Sequence, residues 1–343
     1  MWHRSRGLPF QRQLRAPRES TRGDGRSART SVVRGDVIVT GGAGLVGHAV
    51  RQRLEREGMS CMAVDLVPAE VEGRPVLGCD LVDMPRLREL TAGRAIAAIV
   101  HCGAMSGPNV GRNSPLQQVS VNIVGTANML ELGRELGVSR FVYASSVSAY
   151  GDCQGENLDE QTPLRPTNVY GATKAASEML VMAYAADFRI RAVSLRLSMV
   201  YGPRRETACC LREMLLSGLT GAPMRLQWGH DLRRQPIHID DAAAAVVAAL
   251  KAPGFRQGAY NITGGVAVTF GEAAGIVRDL LPRADIRLGT GMVEGDNIQG
   301  SHSIAAAARD LGYRPQVELR RGLAGYADWL RDKSRPTQDG AAA

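Results

Sequence analysis

The chain has 343 residues, 44% of them hydrophobic and 22% charged, a balance that suits one large α/β domain or a large domain with a smaller partner. No apolar run approaches the ~18 residues of a membrane span; the longest, Asp241 to Leu250, is far too short. The net charge of +8 invites a nucleic-acid reading, but nine arginines and two acids fall in residues 1–34, so that head carries +7 and the remainder is near neutral, with no basic face to offer a polyanion.

The head is poor in apolar residues and lacks periodicity, so residues 1–34 are expected to be a disordered, Arg-rich extension. Its origin is open between an extension without a role, a targeting segment and a weak polyanion-binding arm. Order is expected from Gly35. Asp36 to Thr40 reads as a strand, residues 41–47 as a Gly-rich turn, and a helix follows to Gly58. Further strands are expected at 61–64, 75–77, 96–100, 140–144 and 192–197, with long helices at 115–136 and 169–186. Short, almost wholly apolar strands alternating with helices predict a doubly wound parallel sheet, the Rossmann arrangement, over residues 35–200. Beyond residue 200 the pattern loosens, with helices expected near 206–217, 240–251, 270–281, 303–311 and 319–331. No linker intervenes, so residues 201–332 are expected to form mainly a smaller substrate-binding α/β lobe, followed by a flexible tail at 333–343. The six cysteines (61, 79, 102, 153, 209 and 210) form no CxxC and no zinc-ligand spacing; reduced thiols in a cytoplasmic protein, with no metal, are expected.

Three motifs carry chemistry. Thr40-Gly-Gly-Ala-Gly-Leu-Val-Gly47 sits between a strand and a helix: Gly41 allows the turn, Gly44 lets backbone approach a pyrophosphate, and Gly47 permits close helix–sheet packing. Asp65 ends the next strand and is placed to accept both hydroxyls of an adenosine ribose, which favours NAD over NADP. Tyr170 and Lys174 share one helix face. A free phenol ionises near ~10, and an adjacent ammonium favours the phenolate, so Tyr170 is a candidate proton carrier for a substrate hydroxyl while hydride moves at the carbon. Ser146, just past a strand end, is the candidate donor to the reacting oxygen, with Ser145 and Ser148 as neighbouring hydroxyls.

With these residues the chain from about 36 to 331 resembles the extended short-chain dehydrogenases/reductases, often called the NAD-dependent epimerase/dehydratase family. The resemblance also rests on Asp80-Leu81, His101 to Ala104, Val121 to Thr126, Val200 to Pro203 and His238 to Asp241. It implies that Ser146, Tyr170 and Lys174 are catalytic, and that Gly41, Gly44, Leu45, Val46, Gly47, Asp65, Asp80, Leu81 and Asn122 serve NAD together with Tyr170 and Lys174. It implies that Ser106, Ser148, Met199, Arg204 and Arg234 face a small sugar-like substrate. It further implies a homodimer that pairs the helices at 115–136 and 169–186 into a four-helix bundle; from the hydropathy and the charge distribution, no membrane or nucleic-acid partner is expected.

Departures narrow the reaction. Dehydratases carry an Asp-Glu pair after the Ser position; here Val147 and Ser148 stand there, which disfavours elimination of water. Nucleotide-sugar epimerases carry Asn where this chain has Met199, which cannot donate a hydrogen bond, although Arg204, Arg205 and Arg234 could form an anion site. The expectation is hydride transfer at a secondary alcohol of a sugar or nucleotide sugar, epimerase-like. The alternatives are a dehydrogenase of a free sugar, sugar acid or related alcohol, and a non-catalytic NAD-binding sensor.

Overall fold

A computed structural model of the chain describes residues 35–292 and 296–334. The expected disordered head and most of the expected flexible tail lie outside the described residues. Seven strands precede residue 198: β1 (Asp36–Thr40), β2 (Cys61–Asp65), β3 (Ala69–Val71), β4 (Arg74–Gly78), β5 (Ile96–His101), β6 (Arg140–Ser146) and β7 (Ala192–Leu197). Seven more follow: β8 (Val200–Tyr201), β9 (Met224–Gly229), β10 (Arg233–Arg234), β11 (Ile237–His238), β12 (Ala259–Ile262), β13 (Val268–Thr269) and β14 (Ile286–Gly289). The helices are α1 (Leu45–Arg56), α2 (Met84–Thr91), α3 (Pro115–Val119), α4 (Gly125–Glu135), α5 (Val169–Phe188), α6 (Cys210–Thr220), α7 (Ile239–Lys251), α8 (Phe270–Leu280), α9 (Ala305–Leu311) and α10 (Leu319–Lys333).

The eight-stranded sheet runs β12-β7-β6-β5-β1-β2-β4-β3, parallel throughout except for β3, which turns back along β4. Every residue of β6 and β7 is buried, as strands covered on both faces must be. One core lies between the sheet and α1 and α7, with Val37, Val100 and Val246 in it; the other lies under α2, α4 and α5, with Ile99, Met129 and Val181. Strand order reverses between β1 and β5, the switch point at which such sheets bind ligands outside their carboxyl ends.

A third core joins α6, α8 and α10 through Leu211, Met214, Phe270, Val277, Leu323 and Tyr326, and gives the smaller lobe its own interior. Two elements from the same stretch of sequence return to the large sheet instead: β12 pairs with β7, and α7 packs against α1. The expected long helix at 115–136 is interrupted. A π-helical turn, Ser120–Val124, separates α3 from α4, and at that turn the Asn122 side chain leaves the helix for Met105 and Thr173. The helix expected at 206–217 is α6, which begins only at Cys210 and ends at Gly221 in the left-handed conformation.

Candidate active site

At the end of β1 the chain turns at Gly41, whose φ of +65° suits glycine. A Cβ on Gly47 would fall 2.1 Å from the Gly41 carbonyl, so α1 can start this close to the turn only with glycine there. A Cβ on Gly44 would meet only that same carbonyl, at 3.2 Å, and the space before it is otherwise open. Leu45 and Val46 form the first turn of α1, whose free N–H groups face this space. Asp65, at the end of β2, accepts from the Ala43 N–H at 2.9 Å and the Leu66 N–H at 2.8 Å, which aims its half-buried carboxylate at the turn. Asp80 follows β4 and accepts from the Val82 N–H, and the Leu81 side chain is buried beside Gly103 and Gly125.

A polar bracket that sequence reading did not single out lies behind this turn. Thr126 donates to the Asn122 carbonyl at 2.6 Å, so its oxygen is left to accept from His101 Nε2 at 3.0 Å. His101 Nδ1 then accepts from Thr40 at 2.7 Å, and Thr40 accepts from the Gly103 N–H at 3.0 Å. One neutral histidine tautomer satisfies every member. Burial, reinforced by the Lys174 charge, pushes the His101 pKa down to about 3. Asn122, 1% exposed, holds the loop after β5 through both atoms of its amide: Oδ1 accepts from Met105 N–H at 2.8 Å, and Nδ2 donates to the Met105 carbonyl and to Thr173 on α5 at 2.9 Å.

The structure brings Ser146, Tyr170 and Lys174 together at the carboxyl end of β6. Asn168 caps α5 by accepting from the Gly171 N–H at 2.8 Å, which fixes Tyr170 in the first turn. Ser146 Oγ accepts from the Ser148 N–H at 3.1 Å. Lys174 is buried, donates to the Ala144 carbonyl at 2.7 Å, and stands 4.8 Å from the Tyr143 ring centroid and 5.8 Å from that of Tyr170. Burial disfavours the Lys174 ammonium, but the Tyr143 and Tyr170 phenols outweigh it and hold its pKa above the ordinary lysine value, so it is a cation at neutral pH. The neighbouring Cys102 thiol is pushed up to about 12 by burial and stays protonated.

One turn beyond Lys174, Glu178 forms a buried ion pair with Arg196 of β7 through contacts of 2.8 to 3.1 Å. Ser145 donates to the same carboxylate, and Arg196 also donates to the Tyr150 hydroxyl at 2.7 Å and the Glu160 carbonyl at 3.1 Å. This cluster ties α5 to β6 and β7 immediately behind the serine, tyrosine and lysine. Its signal in the sequence is only a Glu four residues after Lys174, a spacing that puts it on the same helix face.

The substrate-side candidates are spread more widely. Ser106 is exposed on the loop after β5, and Ser148 is half-buried with its carbonyl packed against Gly171. Met199 is half-buried after β7, its carbonyl accepting from the Ile237 N–H. Arg204 pairs with Glu72 at 2.6 Å, on the β3–β4 turn beside His48 of α1. Arg234, 5% exposed, pairs with Asp296 at 2.6 Å. The structure therefore gives these two arginines separate carboxylate partners and does not join them in one anion site. Next to Asp296, Asn297 accepts from Asn168 and donates to Thr167, so the Arg234 side of the lobe is tied to the start of α5.

Among known proteins the chain is 28% identical over 321 residues to a dTDP-glucose 4,6-dehydratase of Streptomyces antibioticus, covering 87% of this chain and 92% of that protein. It is 25% identical over 317 residues to a UDP-glucuronate 4-epimerase of Thermodesulfobacterium geofontis, covering 87% and 97%. The crystal structure of the Thermus thermophilus UDP-glucose 4-epimerase in complex with NAD superposes with a TM-score of 0.77 at 26% identity, over 90% of this chain and 100% of that one. The family model described as the NAD dependent epimerase/dehydratase family matches residues 37–263. The chain belongs to that family, whose members use NAD.

Proposed function

We propose that this protein transfers hydride at a secondary alcohol of a sugar or nucleotide sugar, in the manner of the epimerases, with Ser146, Tyr170 and Lys174 at the reacting atoms. The observation that carries the reading is the convergence of these three residues at the end of β6, with Lys174 buried, cationic and beside the Tyr170 ring. Bound NAD supplies the carbon that takes up and returns hydride. The Gly41–Gly47 turn fits that group: the open space before Gly44 and the N–H groups of Leu45 and Val46 would receive its pyrophosphate. Asp65 would accept the ribose hydroxyls and repel a 2′-phosphate, and Asp80 with the Leu81 backbone would hold the adenine. Tyr170 takes the substrate O–H proton as the C–H bond gives up hydride, and gives it back on return. Ser146 donates to the oxygen throughout, and the Lys174 ammonium stands beside the Tyr170 ring. Asn122 acts one layer back by fixing the β5 loop to α5.

A second reading, a dehydrogenase that releases its ketone, draws support from Met199, which offers a nucleotide phosphate no side-chain donor, and from the neutralisation of Arg234 by Asp296. Hydride exchange in Tyr170→Phe tests both readings. It is expected to fall by about 10²- to 10⁴-fold with NAD binding kept, and an unchanged rate would overturn the assignment. NAD that survives gel filtration supports the epimerase; steady NADH release supports the dehydrogenase.

The proposal extends to a cytoplasmic homodimer. All six cysteines are free, and among the described residues no helix is long and apolar enough to cross a membrane. Leu116 and Val124, 81% and 46% exposed, and Met179 and Met182, 57% and 50% exposed, leave apolar faces on α3–α4 and α5 of the kind a second copy covers.

A further inference from the structure

A cleft of about 230 Å³ opens beside Tyr170, between the start of α5 and the loop that leads into α3. It is smaller than the roughly 300–1,000 Å³ of sites for drug-sized ligands, a size for a single sugar ring. Tyr170 and Asn168 border it on one side; Asn109, Arg112 and Gln118 border it on the other.

Arg112 brings into this cleft a charge that no carboxylate among the described residues answers. Arg204, Arg233 and Arg234 each have a carboxylate at 2.6 Å: Glu72, Glu156 and Asp296. Arg112 is exposed, and among the described residues it pairs with no carboxylate. Its loop is braced. Gln118, 1% exposed, donates to the carbonyls of Met105 and Gly107 at 3.3 and 3.2 Å, and Gly111 packs so tightly on the Gln118 amide that a Cβ there would fall 2.4 Å from it. Ser114 N–H also closes on the Gly111 carbonyl at 3.0 Å. The arginine thus projects from a fixed segment next to the proposed proton carrier. A guanidinium presents paired N–H donors that match the two oxygens of a carboxylate, and a neutral hydroxyl cannot replace that match.

We infer that Arg112 binds a carboxylate on the sugar itself, so that the substrate is a sugar acid. The inference rests on the hydride-transfer reading for its choice of cleft. The carboxylate is the recognised group whether the acid is free or nucleotide-linked.

The test uses the full chain with NAD and two matched pairs, D-glucuronate against D-glucose and UDP-glucuronate against UDP-glucose, with affinity measured by calorimetry and turnover in parallel. In at least one pair the acid should bind about 10- to 100-fold tighter than its neutral partner. Arg112→Gln should erase that difference without weakening the neutral sugar, and Arg112→Lys should restore part of it. The pair that responds tells whether the acid is free or nucleotide-linked. Equal affinities within both pairs, including no measurable binding of either acid, or a preference that survives Arg112→Gln, would overturn the inference. Tyr170-dependent hydride exchange on a neutral sugar would leave the hydride-transfer reading standing while this one fails. Acid binding lost in Arg112→Gln without hydride exchange on any sugar would do the reverse.

Discussion

Replacing Glu178 with glutamine removes one charge from a pair whose members are 2% and 6% exposed, with almost no change in volume. Arg196 then keeps only neutral acceptors: the Tyr150 hydroxyl, the Glu160 carbonyl and the new amide oxygen. Breaking a buried pair on one side costs about 3–5 kcal/mol, because the remaining charge is stranded away from water. The surviving acceptors put Glu178→Gln at the lower end, about 3 kcal/mol. At roughly 2 °C per kcal/mol for a chain of this size, the melting temperature should fall by about 6 °C. Urea or thermal unfolding followed by circular dichroism measures it. Replacing both partners with apolar residues, Glu178→Leu with Arg196→Met, should recover most of the loss, since the desolvation of two charges disappears together with their attraction. A single variant that loses less than about 1 kcal/mol, or a double variant less stable than either single, would refute the view that an uncompensated charge is the source of the effect.

Two further outcomes follow from buried histidines and exposed methionines. Burial holds the pKa of His101 at about 3 and that of His302 at about 4, both below the ordinary value, so the unfolded chain takes up protons that the folded chain refuses. Each histidine's contribution is complete above about pH 6.5 and is lost as pH falls toward its folded pKa, at about 1.4 kcal/mol per pH unit. Unfolding free energies at pH 6.5 and 5 should therefore differ by about 2 kcal/mol for each histidine, and His101→Gln should remove one share. Charges placed on the exposed α3–α5 face, as Leu116→Lys with Met179→Glu, should yield monomers by light scattering without a change in fold; a dimer that persists would remove that face from consideration.

Sequence alone carried the parts whose causes are local. The Gly41–Gly47 turn, Asp65 at the end of β2 and the Tyr170–Lys174 spacing on α5 were legible because strand period, helix period and the demands of a tight turn act over a few residues. The parallel sheet was legible for the same reason, from short apolar strands that alternate with helices. What only the tertiary structure decided depends on partners distant in the chain. Thr40 meets His101 across 61 positions because β1 and β5 are neighbours in the sheet, and Tyr150 meets Arg196 across 46 because β6 leads into a turn beside β7. The return of β12 to the edge of the sheet, and the π turn at Asn122, follow from packing that no local pattern encodes. The same holds for the charges. In the sequence Arg204 and Arg234 carry the same positive charge as Arg112, a residue that sequence reading did not single out. Folding neutralises the first two with Glu72 and Asp296, and it sets Arg112 beside Tyr170 among described residues that supply it no carboxylate. A side chain's chemistry is written at its own position, but whether its charge is already answered depends on which distant segments the fold brings to it.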